Sequence, residues 1–295
     1  MEYFKTKEYL ATKPNEDIKT LTHFYDISFS QNRDDLLWQI AINVVSGHTR
    51  APMPINTIKT PLKVDEYFDL TKPLGTGTYG LVYLAKQIKP ISSFMSDKDV
   101  ALKFIMMGGV SEGEILQQLS HSPCHPNIAC YYTSFYGSSE KKFYAESMLI
   151  IVMEYIQGMP IVSYLKKLQT PIPYTKIVGF AHSLLSTLRY IHKHEIAHAD
   201  LGIHNIMITP DGRLIFIDFG FACSKTGQFA CKVNFLAEKY EDIGAIMFVI
   251  ERLLEKSSDV DFKTSKLYKF VKDTTSIYTD DVEEILKKFE NKFNY

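Results

Sequence analysis

The sequence predicts an α+β protein with a β-rich lobe followed by a mostly helical one, and three observations predict it. Between positions 68 and 154, apolar runs of strand length are separated by glycine-rich or polar turns, with one helical pattern among them. After Gly158 the apolar residues recur at helical spacing, most clearly over 175–194 and 239–255. The 295 residues are 45% hydrophobic and 13% aromatic, enough apolar surface for one large domain or two lobes with a short extension.

Charge and cysteine usage narrow the class. Thirty-three basic side chains against thirty-four acidic ones leave a formal charge of −1, so no global field points to nucleic acid or membrane as a partner. The pairs Lys166-Lys167 and Lys287-Lys288 read as solvated helix faces. Cysteines stand at 124, 130, 223 and 231 with no C-x-x-C pair. The stretch His121, Cys124, His125, Cys130 fits no common zinc-finger spacing and reads as a loop and a strand start. A reducing compartment is the simplest inference. Residues 1–5 lack the apolar core of a signal peptide. The longest apolar runs, 148–153 and 245–250, are too short to span a bilayer. The expectation is a soluble, intracellular, cytoplasmic protein.

Each element follows in order. Residues 1–66 form an extension that packs on the domain behind it or engages a partner. Within it, 34–45 is compatible with a buried helix capped by Asp34 or Asp35, and 50–62, with prolines at 52, 54 and 61, reads as an extended linker. The first lobe is assigned to 67–156. Strands at 68–74 and 81–87 flank Gly75-Thr76-Gly77-Thr78-Tyr79-Gly80, and 99–106 is a third strand. Ser111 and Glu114 make a capping box that opens a short helix over 111–120. Strands at 128–135 and 147–154 complete the lobe. The second lobe, 157–295, starts with a helix at 161–168. The helix at 175–194 presents Ile177, Phe180, Ala181, Leu184, Leu188 and Ile191 on one face. Short strands at 206–208 and 214–217 flank the turn Thr209-Pro210-Asp211-Gly212. Helices at 239–255, 265–272 and 280–293 end the chain.

Three clusters carry chemistry. The first is Leu74-Gly75-Thr76-Gly77-Thr78-Tyr79-Gly80-Leu81-Val82. Glycines let the backbone approach phosphate oxygens and present unshielded N–H donors. The same spacing marks dinucleotide folds, where the glycines lead into a helix. Here 81–84 is strand-like on the far side, which favours a hairpin lid. The second is Val100-Ala101-Leu102-Lys103, a lysine in an apolar strand. A buried ammonium needs a partner. It either binds the α- and β-phosphates while a carboxylate holds it, or it snorkels to the surface. Counting back from Leu119 and His121 favours Glu112 as that carboxylate, whereas Glu114 is explained by the capping box.

The third cluster is the most specific. It runs His198-Ala199-Asp200-Leu201-Gly202-Ile203-His204-Asn205, with Asp218-Phe219-Gly220 beginning thirteen positions after Asn205. Phosphoryl transfer needs in-line positioning and neutralisation of oxygen charge more than covalent chemistry. One aspartate can accept or orient an acceptor hydroxyl. An asparagine and a second aspartate supply hard oxygen ligands suited to Mg²⁺.

With these motifs in this order, the chain from about 68 to about 254 resembles the eukaryotic-type protein kinase superfamily, as a divergent Ser/Thr protein kinase. His198-Ala199-Asp200-Leu201 also resembles the catalytic loops of RIO-like and aminoglycoside-phosphotransferase-like kinases. The resemblance implies a bilobal protein-kinase-like fold with a trimmed C-lobe and ATP in the cleft. It implies that Leu74, Gly75, Thr76, Gly77, Thr78, Tyr79 and Gly80 cover the phosphates. Lys103, held by Glu112, would contact them. Val82, Ala101 and Met207 would sandwich the adenine, with Met153 as gatekeeper and Glu154 to Ile156 as the adenine-binding backbone. Asp200 would be the catalytic base, Asn205 and Asp218 the magnesium ligands, and Asp242 the brace of the catalytic loop.

The pattern departs from the family in four places. Ala199 stands where an arginine is expected, which argues against activation through an arginine–phosphoresidue pair. Gly202 replaces a lysine that helps neutralise the γ-phosphate, with His204 a partial substitute. Only nine positions separate Lys103 from Glu112. The segment from Asp218 to Asp242 is compressed and lacks Ala-Pro-Glu. The implied activity is transfer of the γ-phosphate of ATP to a Ser/Thr hydroxyl of a protein substrate, with Mg²⁺. A kinase of a small-molecule hydroxyl and a nucleotide-binding pseudokinase scaffold are the other two readings.

Overall fold

A computed structural model describes residues 62–77, 80–89, 99–105, 110–120, 124–140, 144–232, 234–258, 261–276 and 281–295. The helix expected at 34–45, the linker up to position 61, and Thr78, Tyr79 and His121 lie outside the described residues. The chain divides into two compact units, one running to His125 and taking in Cys130–Tyr155, the other made of Pro126–Ala129 and Ile156–Tyr295.

The first unit is built on a six-stranded sheet. Its elements are β1 (Leu62–Lys63), α1 (Val64–Tyr67), β2 (Phe68–Gly77), β3 (Gly80–Gln87), β4 (Asp99–Ile105), α2 (Val110–Leu119), β5 (Tyr131–Ser139) and β6 (Tyr144–Glu154). The sheet order is β1-β5-β6-β4-β3-β2, with β1 parallel to β5 and every other pair antiparallel. Residues facing each other across antiparallel strands share a side of the sheet. One side therefore gathers Phe68, Leu70, Ala85, Val100, Leu102, Phe104, Phe135, Ile150 and Val152, joined by Val64 from α1, as the apolar core. Pro73 lacks an N–H, and β2 is the edge strand where that loss is tolerated.

Two expected boundaries move. Helix α2 starts at Val110, so Ser111 lies inside its first turn and is not the cap the Ser-x-x-Glu pattern suggested. The strand expected from 128 begins at Tyr131, because Ile128 forms a bridge with Phe216 inside the second unit.

The second unit contains β7 (Met159–Pro160), α3 (Ile161–Lys167), α4 (Tyr174–Lys193), β8 (Ile196–Ala197), β9 (Ile206–Ile208), β10 (Leu214–Phe216), β11 (Cys223–Ser224), α5 (Phe235–Leu254), a 3₁₀ turn at Phe262–Thr264, α6 (Lys266–Ser276) and α7 (Val282–Phe293). Helix α4 buries the whole face read from the sequence, Ile177, Phe180, Ala181, Leu184, Leu188 and Ile191. Helix α7 buries Val282, Ile285, Leu286 and Phe289, and Phe289 meets Phe270 of α6 edge to face at 5.4 Å. Helix α5 begins earlier than 239 because Asn234 caps it, its side chain accepting from the Leu236 N–H at 2.9 Å. Two short ribbons, β10-β9-β7 and β11-β8, carry the loops between these helices. Among the described residues, no helix is long and apolar enough to cross a membrane.

All four cysteines are paired, Cys124 with Cys130 in the first unit and Cys223 with Cys231 in the second. Disulfides are uncommon in reducing compartments, so this pairing sits against that reading of the cysteines. Among the described residues no group of His, Cys, Asp and Glu alone is placed to hold a metal ion.

Candidate active site

In the first unit the second face of the sheet carries the residues singled out from the sequence. The register sets Val82 opposite Lys103 and Leu84 opposite Ala101. It then sets Ala101 opposite Met153 and Lys103 opposite Ile151. Val82, Ala101, Lys103 and Met153 thus share one surface, as strand alternation requires. Helix α2 lies against this face, since a Cβ added at Gly113 would stand 3.6 Å from Ser134 Oγ and 3.7 Å from Ile151 Cδ1.

That placement settles the partner of Lys103. Its ammonium lies 2.8 Å from Glu112 Oε1 and 2.6 Å from Oε2, with both side chains buried. Glu114 sits on the exposed side of the same helix. Lys103 is therefore no snorkelling surface lysine. In a dry setting each charge needs the other, because an isolated ammonium or carboxylate there loses its hydration without return.

The glycine hairpin is partly described. Gly77 faces Gly80, and Gly75 faces Val82, across β2 and β3. At Gly80 the close approach is to protein: a Cβ would stand 2.0 Å from the Phe104 carbonyl oxygen. At Gly75 nothing lies within 4 Å. Leu74 and Thr76 are exposed. Glu154 returns a backbone pair to Cys130, its N–H donating to the Cys130 carbonyl at 2.8 Å.

The second unit gathers the polar residues. Strand β8 delivers the chain to His198, which is fully buried. Its Nε2–H donates to the Ile217 carbonyl at 3.1 Å, and its ring packs on Phe219 with centroids 4.4 Å apart. Burial lowers the His198 pKa, against smaller opposing effects led by the Asp242 charge. Next, Ala199 takes a left-handed φ of 59°. A non-glycine residue adopts that only when its surroundings enforce it. Asp242 of α5 does so: one carboxylate oxygen accepts from the Ala199 N–H at 3.0 Å, the other from the His198 N–H at 2.8 Å and from His192 Nε2–H at 3.0 Å.

Beyond that bend Asp200 is exposed. Asn205 Nδ2 donates to both the Asp200 carbonyl and Asp200 Oδ2, each at 2.8 Å. The Ile217 N–H donates to the Asn205 carbonyl at 3.0 Å, which brings the following residue, Asp218, to the same loop cluster. Asp218 also has a left-handed φ, 60°, and its Oδ1 accepts from the Gly220 N–H at 3.3 Å. With its NH₂ committed to Asp200, Asn205 keeps its amide oxygen for another partner. An amide oxygen and a carboxylate are the donor types Mg²⁺ accepts beside phosphate oxygens and water. Ile156 and Met207 also come together, in an apolar cluster with Ala129, Ile215 and Ile217.

His192 was not anticipated. It stands in the last turn of an amphipathic helix and is buried against Asp242. Pairing across fifty positions leaves no local signal.

Comparison with known proteins identifies the family. A family model described as Protein kinase domain matches residues 68–241. Serine/threonine-protein kinase fray1 of Dictyostelium discoideum is 28% identical over 73% of this chain and 34% of its own length. Serine/threonine-protein kinase PrkC of Bacillus subtilis is 25% identical over 65% of this chain and 31% of its own. Mitogen-activated protein kinase kinase kinase 3 of Arabidopsis thaliana is 31% identical over 57% of this chain and 26% of its own. The chain thus spans about a third of the length of these relatives, or less.

Proposed function

From the premise that this chain belongs to the protein kinase domain family, we propose that it transfers the γ-phosphate of ATP to a Ser or Thr hydroxyl of a protein substrate. The observation that carries the proposal is the loop cluster in which Asn205 holds Asp200 while the Ile217 backbone ties Asn205 to the strand leading into Asp218. Bound Mg-ATP supplies the transferable phosphoryl group and neutralises its oxygens. Asn205 and Asp218 would hold the metal, and Lys103, kept in place by Glu112, would meet the phosphates.

Asp200 takes the proton of the acceptor hydroxyl as its oxygen bonds to the γ-phosphorus and the bond to the ADP oxygen breaks. Its exposure suits a carboxylate that must meet an incoming protein side chain. Val82, Ala101 and Met153, which share one face of the first unit's sheet, would contact the adenine, as would Ile156 and Met207. Leu74 to Gly80 would lie over the phosphates.

Incubating the purified chain with γ-labelled Mg-ATP and a generic basic protein tests this. Label on Ser or Thr is expected, and Asp200→Asn should remove it while leaving the melting temperature close to wild type. Label that depends on an added metabolite would move the assignment to a small-molecule hydroxyl. Nucleotide binding without transfer to any acceptor would overturn it.

A further inference from the structure

We propose that Cys223 and Cys231 form a redox clasp that orders the segment following Asp218-Phe219-Gly220, so that the disulfide form is the active one. The inference rests on the reading of this site as a protein kinase. In kinases that segment is commonly ordered by a phosphorylated residue pairing with arginine. Here the residue before the catalytic aspartate is Ala199, whose methyl group can pair with no phosphate. Order has to come from elsewhere.

The geometry supplies it. Cys223 lies in β11, which pairs with β8 through Cys223 opposite Ala197 and Ser224 opposite Ile196. Strand β8 leads directly into His198 and Asp200, and β11 follows Asp218, so this ribbon joins the two catalytic stretches. Cys231 closes back on it: its Cα is 4.9 Å from that of Cys223, and its N–H donates to the Ser224 carbonyl at 2.9 Å. Ser224 N–H reaches the Phe229 carbonyl at 2.9 Å, and Ala230 bridges Ser224. Lys225 fixes the outer side, its N–H donating to the Glu195 carbonyl at 2.9 Å and its Nζ to Glu195 Oε1 at 2.6 Å. Ile196 and Ala197 of β8 are buried, but on the side of the segment itself Cys223, Ser224, Phe229 and Cys231 are only half-buried and Lys225 and Ala230 exposed. Apart from the disulfide, little apolar burial therefore holds this turn, and such a turn opens locally. Both cysteines are half-exposed, so a small oxidant or reductant can reach them.

The chemistry balances with a low-molecular-weight disulfide such as oxidised glutathione. The Cys223 thiolate attacks it, releasing one glutathione thiolate and leaving a mixed disulfide. The Cys231 thiolate then attacks the Cys223 sulfur and releases the second. The protein gives up two protons and two electrons, which leave as two small thiols.

The test uses the full chain prepared in dithiothreitol and in oxidised glutathione. Alkylation followed by peptide mass mapping should show Cys223–Cys231 joined in the second sample and alkylated in the first. Trypsin should cut after Lys225 and Lys232 markedly faster in the reduced sample. Transfer to a protein substrate should fall by about fivefold or more on reduction, the low end of usual coupling between sites, with the KM for ATP unchanged. Cys231→Ser should behave as the reduced form in both buffers. The redox comparison on the wild-type chain stands even if that variant folds poorly. Free thiols in both samples, or equal trypsin rates, would overturn the clasp. A trypsin difference with equal transfer rates would overturn its activating role. A trypsin difference with no transfer in either buffer would uphold the redox-dependent ordering and sink the kinase reading.

Discussion

Asp242 concentrates more of the catalytic loop on one side chain than any other described residue. Its carboxylate receives three N–H donors, two on Oδ2 and one on Oδ1, in a site closed to water. In Asp242→Asn the amide must turn its NH₂ toward either His192 and His198 or Ala199, setting donor against donor in both orientations. Buried groups left unsatisfied cost about 1–3 kcal/mol each, so we expect a loss of about 3 kcal/mol or more by denaturant titration. Ala199 would also be released from its left-handed φ, and transfer activity should fall with stability. His198 adds a pH dependence with a definite sign. Burial lowers its folded pKa, so the unfolded chain, titrating near ~6.5, binds the proton more readily. Its contribution is complete above that value and is lost as pH falls below it, with a slope of at most ~1.4 kcal/mol per pH unit. His198→Gln keeps an Nε2 donor for the Ile217 carbonyl without a titrating ring. Melting curves between pH 5 and 7.5 should therefore be flatter for the variant than for wild type; parallel curves would remove His198 as the cause.

At the scale of elements, the hairpin β2–β3 shows how a glycine motif serves two masters. Gly75 has open space where a ligand can come close, but Gly80 is required by the fold, because its Cα passes against the Phe104 carbonyl in β4. Gly80→Ala should cost about 2 kcal/mol or more through displaced backbone, read as a drop in melting temperature with or without nucleotide. An equal melting temperature would show that β4 gives way freely. The same contrast explains what could be read beforehand. The long helices were legible because 3.6-residue periodicity over five turns is a strong signal, as α4 with its buried face demonstrates. The polar trio Asp200, Asn205 and Asp218 was legible because its spacing is local. Ribbons of two residues, β8 and β11, carry no periodicity and exist only through each other. The disulfides were illegible for a related reason: separations of six and eight positions do not say whether the chain folds back. Asn234 before α5 was a cap signal in plain view.

Across the whole molecule, thirty-three cations and thirty-four anions leave no net field, so under the proposed function local cations would have to draw the polyanionic nucleotide. Lys103 is one, and it is already shared with Glu112. The loop from His198 to Asn205 contributes no lysine or arginine: Gly202 has no side chain, and Ala199 carries only a methyl group. A lysine at 202 is structurally permitted, since nothing lies within 4 Å of a Cβ there and its φ is not left-handed. Gly202→Lys should leave the melting temperature nearly unchanged. A cation placed beside charge that develops during transfer is commonly worth several kcal/mol; allowing for solvent exposure, we expect roughly a tenfold rise in kcat. The KM for ATP should change less, because the added charge acts on the phosphoryl group in flight more than on the bound nucleotide. If kcat stays level while KM falls, the lysine has met only the ground state. In that case the glycine is no electrostatic gap, and this loop neutralises the transferred phosphate by some other residue.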